Sequence, residues 1–205
     1  MKYEKLADKR TLDKTVKALG SKGYKAFVIE NRTDALKKIR KLIPNGASVM
    51  NGSSVSLEEI GYIELLNSGK HGWIDLHKKV SSENDPVKRA ALRKKSVLSD
   101  YYLGSVHALT ENGEFVIASN TGSQMPHVVY TSPNLIFVVS TKKIVPTMSD
   151  AMKRLEKYVV PLENKRSIEK YGGGTSLNKI VIFKNENPGS KRKIYFILVK
   201  ESLGF

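Results

Sequence analysis

The run Leu135-Ile136-Phe137-Val138-Val139 constrains the fold more than any other stretch of the chain. A strand that is apolar on both faces cannot border solvent. It has to be covered above and below, as the strands of parallel sheets are. Residues 134–140 are therefore expected to form a central buried strand.

The segments before it supply the rest of such a sheet. Leu12, Val16 and Leu19 recur at helical spacing within 5–19, and Gly20 marks the stop. Tyr24, Phe27, Val28 and Ile29 make 24–30 a strand, and Ala35, Leu36, Ile39, Leu42 and Ile43 make 33–43 a helix. A strand over 47–50, a helix over 56–67 and a short strand near 73–76 follow. Strands alternating with helices across short connections predict a parallel sheet covered by helices. Residues 77–84 are polar and expected to loop. Asp85-Pro86 starts a helix with a very basic middle. Residues 101–109 read as one strand, Asn112-Gly113 as a hairpin turn and 115–118 as the returning arm. A short helix at 125–130, an extended piece at 142–146 and a last clear helix at 147–160 follow. Two strands, 179–184 and 193–200, close the chain around a turn at Asn187-Pro188-Gly189. The length fits one domain over 1–205, with an N-terminal helix in 1–22 and the closing strands in 162–205.

Three polar loops interrupt this pattern, and in an open α/β sheet ligands bind beyond the carboxyl ends of the strands. The first, Asn51, Gly52, Ser53 and Ser54, leaves a strand and enters a helix. Its backbone N–H groups and hydroxyls suit an anion, either carboxylate or phosphate. Ser56 and Glu59 have the spacing of a capping box. If they close that box, Asn51, Ser53 and Ser54 remain for a ligand and Glu58 is the available carboxylate. The second loop is Asn120, Thr121, Gly122, Ser123 and Gln124, and the third spans 172–176. None carries a dinucleotide or phosphate-loop fingerprint. Glu58 and Asp100 are the candidate acid–base or nucleophilic groups. Set against those roles, Asp100 is a residue type that ends helices and Glu111 one that makes turns. Among His71, His77, His107 and His127, none has metal-ligand spacing. His127 lies closest to the second loop, and His107 is expected to be packed within its strand.

Composition removes several chemistries. The chain has no cysteine, so it has no thiolates for an iron–sulfur cluster, a disulfide or a thiol nucleophile. Lysine and arginine total 35 against 20 acidic residues, a net charge of +15. That field favours anionic ligands, and it is the one argument for a nucleic-acid partner. The basic residues are scattered and lack interleaved stacking aromatics, which ranks nucleic acid last. No apolar signal region and no stretch of about 18 apolar residues is present, so a cytoplasmic protein without membrane association is expected.

Three segments together resemble one family. Gly52-Ser53-Ser54-Val55-Ser56-Leu57-Glu58-Glu59-Ile60-Gly61, Ala108-Leu109-Thr110-Glu111-Asn112-Gly113-Glu114-Phe115-Val116 and Lys143-Ile144-Val145-Pro146 are similar, in order and separation, to the lactate-utilisation (LUD) domain of the LutC/YkgG type. The resemblance covers about residues 1–165, and the tail looks like a divergent form of the family's closing strands. It implies a three-layer α/β/α sandwich with a mostly parallel sheet, plus a β-hairpin and C-terminal strands. This is the fold of glucosamine-phosphate deaminase, ribose-phosphate isomerase and CoA transferases. It further implies a part in oxidising L-lactate to pyruvate beside iron–sulfur oxidoreductase partners, with any cluster held by the partner. Where the family suggests an acidic run near the end, this chain has Ser176-Leu177-Asn178-Lys179-Ile180-Val181. The alternative is an enzyme on a phosphorylated or CoA-linked metabolite, with Gly52–Ser54 and Thr121–Ser123 holding the anion. Assembly into a homo-oligomer is a further expectation.

Overall fold

The computed structural model describes residues 3–205. Its centre is a six-stranded sheet in the order β1 (Lys25–Ile29), β10 (Lys193–Val199), β7 (Asn134–Ser140), β4 (Tyr101–Gly104), β2 (Ser48–Asn51) and β3 (Ile74–Asp75), with every neighbouring pair parallel. Strand β7 lies between β10 and β4, and Leu135 to Val139 are all fully buried. Alternation sorts its side chains. Leu135, Phe137 and Val139 point to one core, Ile136 and Val138 to the other. Helices α2 (Arg32–Leu42), α3 (Val55–Glu59) and α4 (Tyr62–Ser68) build the second core with Ala35, Ile39, Leu57 and Leu66. The chain is thus a mixed α/β fold with a parallel central sheet flanked by helices.

The opposite face carries more than helices. Leu12 and Leu19 of α1 (Lys9–Ser21) pack there beside a second, four-stranded sheet in the order β8 (Ile144–Val145), β5 (Ala108–Thr110), β6 (Phe115–Ser119) and β9 (Lys179–Phe183). Phe115 and Ile117 of β6 face the central sheet. Val116 and Ala118 face outward against α7 (Met148–Arg154) and the turn that follows it. The expected hairpin is present, as Leu109 pairs with Phe115 around Gly113, and it forms the middle of this sheet.

Several boundaries differ from the sequence reading, each for a local reason. Helix α1 starts at Lys9 because the Asp8 carboxylate accepts from Thr11 N–H at 2.8 Å. The helix expected over 56–67 is two, since Gly61 has φ +80° and interrupts it. Residues 77–84 are not all loop: α5 (Leu76–Ser81) forms there, capped by Asp75. It precedes the basic helix α6 (Pro86–Lys95). The strand expected over 101–109 divides into β4 and β5, so the chain crosses from one sheet to the other at Ser105–His107. The helix expected to end at 160 continues as α8 (Val160–Tyr171). A π turn over Leu155–Val159, in which Val160 N–H bonds Leu155 C=O, widens the backbone where Pro161 lacks a donor. The two closing strands are not partners. Strand β9 pairs antiparallel with β6, and β10 enters the middle of the central sheet. No helix among the described residues is long and apolar enough to cross a membrane.

Candidate functional site

The carboxyl ends of β2 and β4 open into a cavity of about 670 Å³. All three polar loops reach it. Asn51, Gly52, Ser53 and Ser54 line one side, Asn120, Thr121, Ser123 and Gln124 another, and Tyr171, Thr175 and Ser176 a third. Gly122 of the second loop is not in the wall and lies against Lys179. Gly52 cannot be another residue without movement, because a Cβ there would stand 2.7 Å from the Tyr102 hydroxyl. That hydroxyl donates to Gln124 Oε1 at 3.3 Å, tying the first loop to the second.

The capping box does not form. Ser54 is the N-cap of α3, its Oγ accepting from Leu57 N–H at 3.4 Å. Glu59 accepts from Gly204 N–H at 2.7 Å. Ser56 is buried in the cavity wall, where its hydroxyl meets Lys143 Nζ at 3.1 Å.

Glu58 and Asp100 do not meet in the cavity, and neither lines it. Asp100 precedes β4, at the opposite end of the sheet, where its Oδ2 accepts from Ser48 N–H at 2.8 Å and Ser48 Oγ at 2.7 Å. Glu58 accepts from Lys170 Nζ at 2.7 Å and Arg166 Nη2 at 2.9 Å. Partial burial pushes its pKa up, but the Lys170 hydrogen bond and the charges of Arg166 and Lys170 outweigh that and hold it below the usual value. Arg166 Nη2 also donates to Ser53 Oγ at 3.0 Å, and the Tyr171 hydroxyl lies 3.1 Å from the same oxygen. Glu58, Arg166, Lys170, Ser53 and Tyr171 thus form a latch that fastens α8 across the first loop. Much of the second loop is also internally paired. Asn120 Oδ1 accepts from Asn178 Nδ2 at 2.6 Å, and Gln124 Nε2 donates to Ala118 C=O at 2.8 Å.

A strongly perturbed group in the wall is Lys143, which sequence reasoning did not select. It ends the short 3₁₀ turn after β7 and is 3 % exposed. Its Nζ bonds the hydroxyls of Ser56 and Ser105, each at 3.1 Å. Its neighbour Lys142 is also buried but reaches Glu4 at 3.0 Å and Ser202 at 2.9 Å. Lys143 has no such ion pair among the described residues. Burial, Arg154 and Lys142 lower its pKa to about 7, against a smaller upward pull from Glu59. Its signals in the sequence were a lysine pair just beyond the most apolar strand and the place of Lys143 at the head of a family-like segment.

His107 stands beside it in the wall. Ala118 N–H donates to its Nδ1 at 3.1 Å, which leaves the ring proton on Nε2. Burial, with the charges of Lys143 and Arg154, lowers its pKa to about 3, so it is neutral at pH 7. Arg154, fully buried behind it, donates to the His107 carbonyl. His127 is the histidine nearest the second loop, as expected, and lines the cavity. It stacks on Tyr102 at 4.5 Å, bonds Ser132 at 3.1 Å, and is held near pKa 4 by burial. No group of three or more His, Asp or Glu side chains among the described residues is placed to hold a metal ion.

Comparison with known proteins adds three findings. The profile of the LUD domain matches residues 12–199. A DUF162 family protein from Deinococcus radiodurans has a similar structure, with a TM-score of 0.57 at 11 % identity, covering 95 % of this chain and 99 % of that one. A search of curated proteins finds no match.

Proposed function

The chain belongs to the LUD domain family, and from that membership together with the chemistry of its cavity we propose that it binds a small carboxylate and serves the oxidation of L-lactate to pyruvate. In this reading it is a subunit or accessory protein, and the iron–sulfur clusters belong to partners, because the chain has no cysteine. The observation that carries it is Lys143, a buried amine in a cavity wall with no carboxylate paired to it. An arriving carboxylate supplies the missing counter-charge, and the Ser56 and Ser105 hydroxyls hold the amine in place. Asn51 adds a second polar feature. Its Nδ2 donates to Gly52 C=O at 3.1 Å, and its buried Oδ1 has no partner. Such an acceptor suits a hydroxyl better than a second anionic oxygen.

Titration of the purified protein with L-lactate and pyruvate, followed by thermal shift and calorimetry, tests the binding. Stabilisation that is lost in Lys143→Met is expected. A melting temperature unmoved by either acid overturns this reading. On the cellular side, a deletion strain that oxidises lactate normally removes the pathway assignment while leaving the site intact.

A phosphorylated or CoA-linked metabolite is the second reading, favoured by size. The cavity of about 670 Å³ is far larger than a three-carbon acid requires, and two hydroxyl-rich loops line it. Competition by inorganic phosphate or free CoA separates the two.

A further inference from the structure

We propose that Lys143 is a covalent lysine, whose amine condenses with the carbonyl of a small 2-oxo acid to form an imine in the cavity. The inference rests on the ligand-site reading above and names the substrate class that the site takes.

The argument starts from what an imine-forming lysine needs. The amine must carry a free lone pair, lie where a small molecule can reach it, and have neighbours that pass protons. Lys143 meets each condition. It lines the cavity, and no carboxylate holds it as an ammonium. Two hydroxyls take two of its three polar positions, and no hydrogen-bond partner among the described residues takes the third. Its surroundings oppose charge from several sides: Arg154 and Lys142 lie on its own flank, and the ring of neutral His107 lies beside it. Glu59 is the one acid acting on it, and that carboxylate is engaged with Gly204 N–H. Among the described residues no other lysine lines the cavity or combines these features.

The step balances without any further reactant. The Nζ lone pair attacks the carbonyl carbon, and the carbonyl π pair moves to oxygen. That oxygen takes one of the two amine protons, relayed through the Ser56 or Ser105 hydroxyl, to give a carbinolamine. That hydroxyl then leaves as water, taking the remaining amine proton, to give the imine, and the imine takes one proton from solvent to become the iminium. The iminium then places positive charge directly beside the acid's own carboxylate. The adduct thereby pairs the charge on nitrogen with an anion that the free site lacks. A hydroxy acid has no carbonyl and binds through charge and hydrogen bonds alone.

The test is reductive trapping on the full chain at neutral pH, with pyruvate and glyoxylate as probes and borohydride as reductant. Intact-mass and peptide mass spectrometry read the result. One reduced adduct per chain, on the peptide that contains Lys143, is expected. It should be absent with L-lactate and absent in Lys143→Met and Lys143→Arg. Lys143→Arg is the control for folding and charge, since a guanidinium keeps the cation but forms no stable imine. Circular dichroism confirms that both variants are folded. Adducts scattered over surface lysines, or equal trapping in Lys143→Arg, overturn the proposal. Saturable pyruvate binding with no trapped adduct also overturns it while leaving the binding reading in place. Absence of any pyruvate or lactate binding removes both.

Discussion

Replacing Lys143 by methionine should make the free protein more stable at neutral pH while abolishing anion binding. The sign follows from linkage. The folded pKa is depressed from 10.5 to about 7, so between those values the unfolded chain binds the extra proton. The lysine's contribution to stability is complete above 10.5 and is lost as pH falls through about 7. At about 1.4 kcal/mol per pKa unit, the full penalty has a ceiling of about 5 kcal/mol. Against it stand the two hydrogen bonds to Ser56 and Ser105 that methionine cannot make, worth roughly 1 kcal/mol each. The net gain at pH 7 is then about 1–3 kcal/mol. Urea denaturation of both proteins at several values between about pH 7 and 10 measures it, because groups common to the two cancel in the difference. The advantage of the variant should shrink as pH rises, since the native lysine has less charge to give up. A variant less stable at pH 7, with a gap that does not change with pH, would refute the placement of Lys143 as a buried, unpaired amine.

Three further outcomes follow from the same geometry. Carboxylate affinity should weaken as pH rises through about 7, where Lys143 loses its proton, and calorimetry in matched buffers would show proton uptake on binding above that value. Acid should destabilise the fold as pH drops below 6.5, because His107 and His127 are neutral in it down to about 3 and 4, whereas the unfolded chain takes up protons; His127→Phe should flatten part of that loss in a pH-dependent melt. Arg166→Ala frees Ser53 and leaves Glu58 to Lys170 alone, so a loss of about 1–2 kcal/mol and faster proteolytic cleavage near residues 172–176 are expected, with unchanged cleavage rates counting against the latch.

The parallel sheet was legible because it depends on local periodicity. The buried run of β7, the helical stripe of α2 and the Asn-Gly hairpin are all written in neighbouring residues. The loops of the cavity were legible for the same reason, as glycine and serine cluster at the end of β2. What the sequence concealed is contact across distance. Ser54 and Ser56 compete to cap one short helix, and local spacing favours Ser56 with Glu59. The outcome is decided by Lys143 on Ser56 and Gly204 on Glu59, partners 87 and 145 residues away. Glu58 looked free for a similar reason, since Arg166 and Lys170 reach it only once α8 folds back. Strands β9 and β10 are joined by a turn, yet each takes its neighbours in a different sheet, which no local pattern announces.

The position of β10 bears on how the protein is made. Strand β1 lies at the sheet's edge and, among the described residues, has β10 as its sole strand neighbour, although some 160 residues separate them. During synthesis β1 therefore waits as an unpaired apolar strand until residues 193–199 emerge. It is open to chaperones, or to the edge strands of other nascent chains, throughout that interval. Residues 204 and 205 also belong to the cavity wall, so a ligand there cannot help the chain to fold until they too have been built.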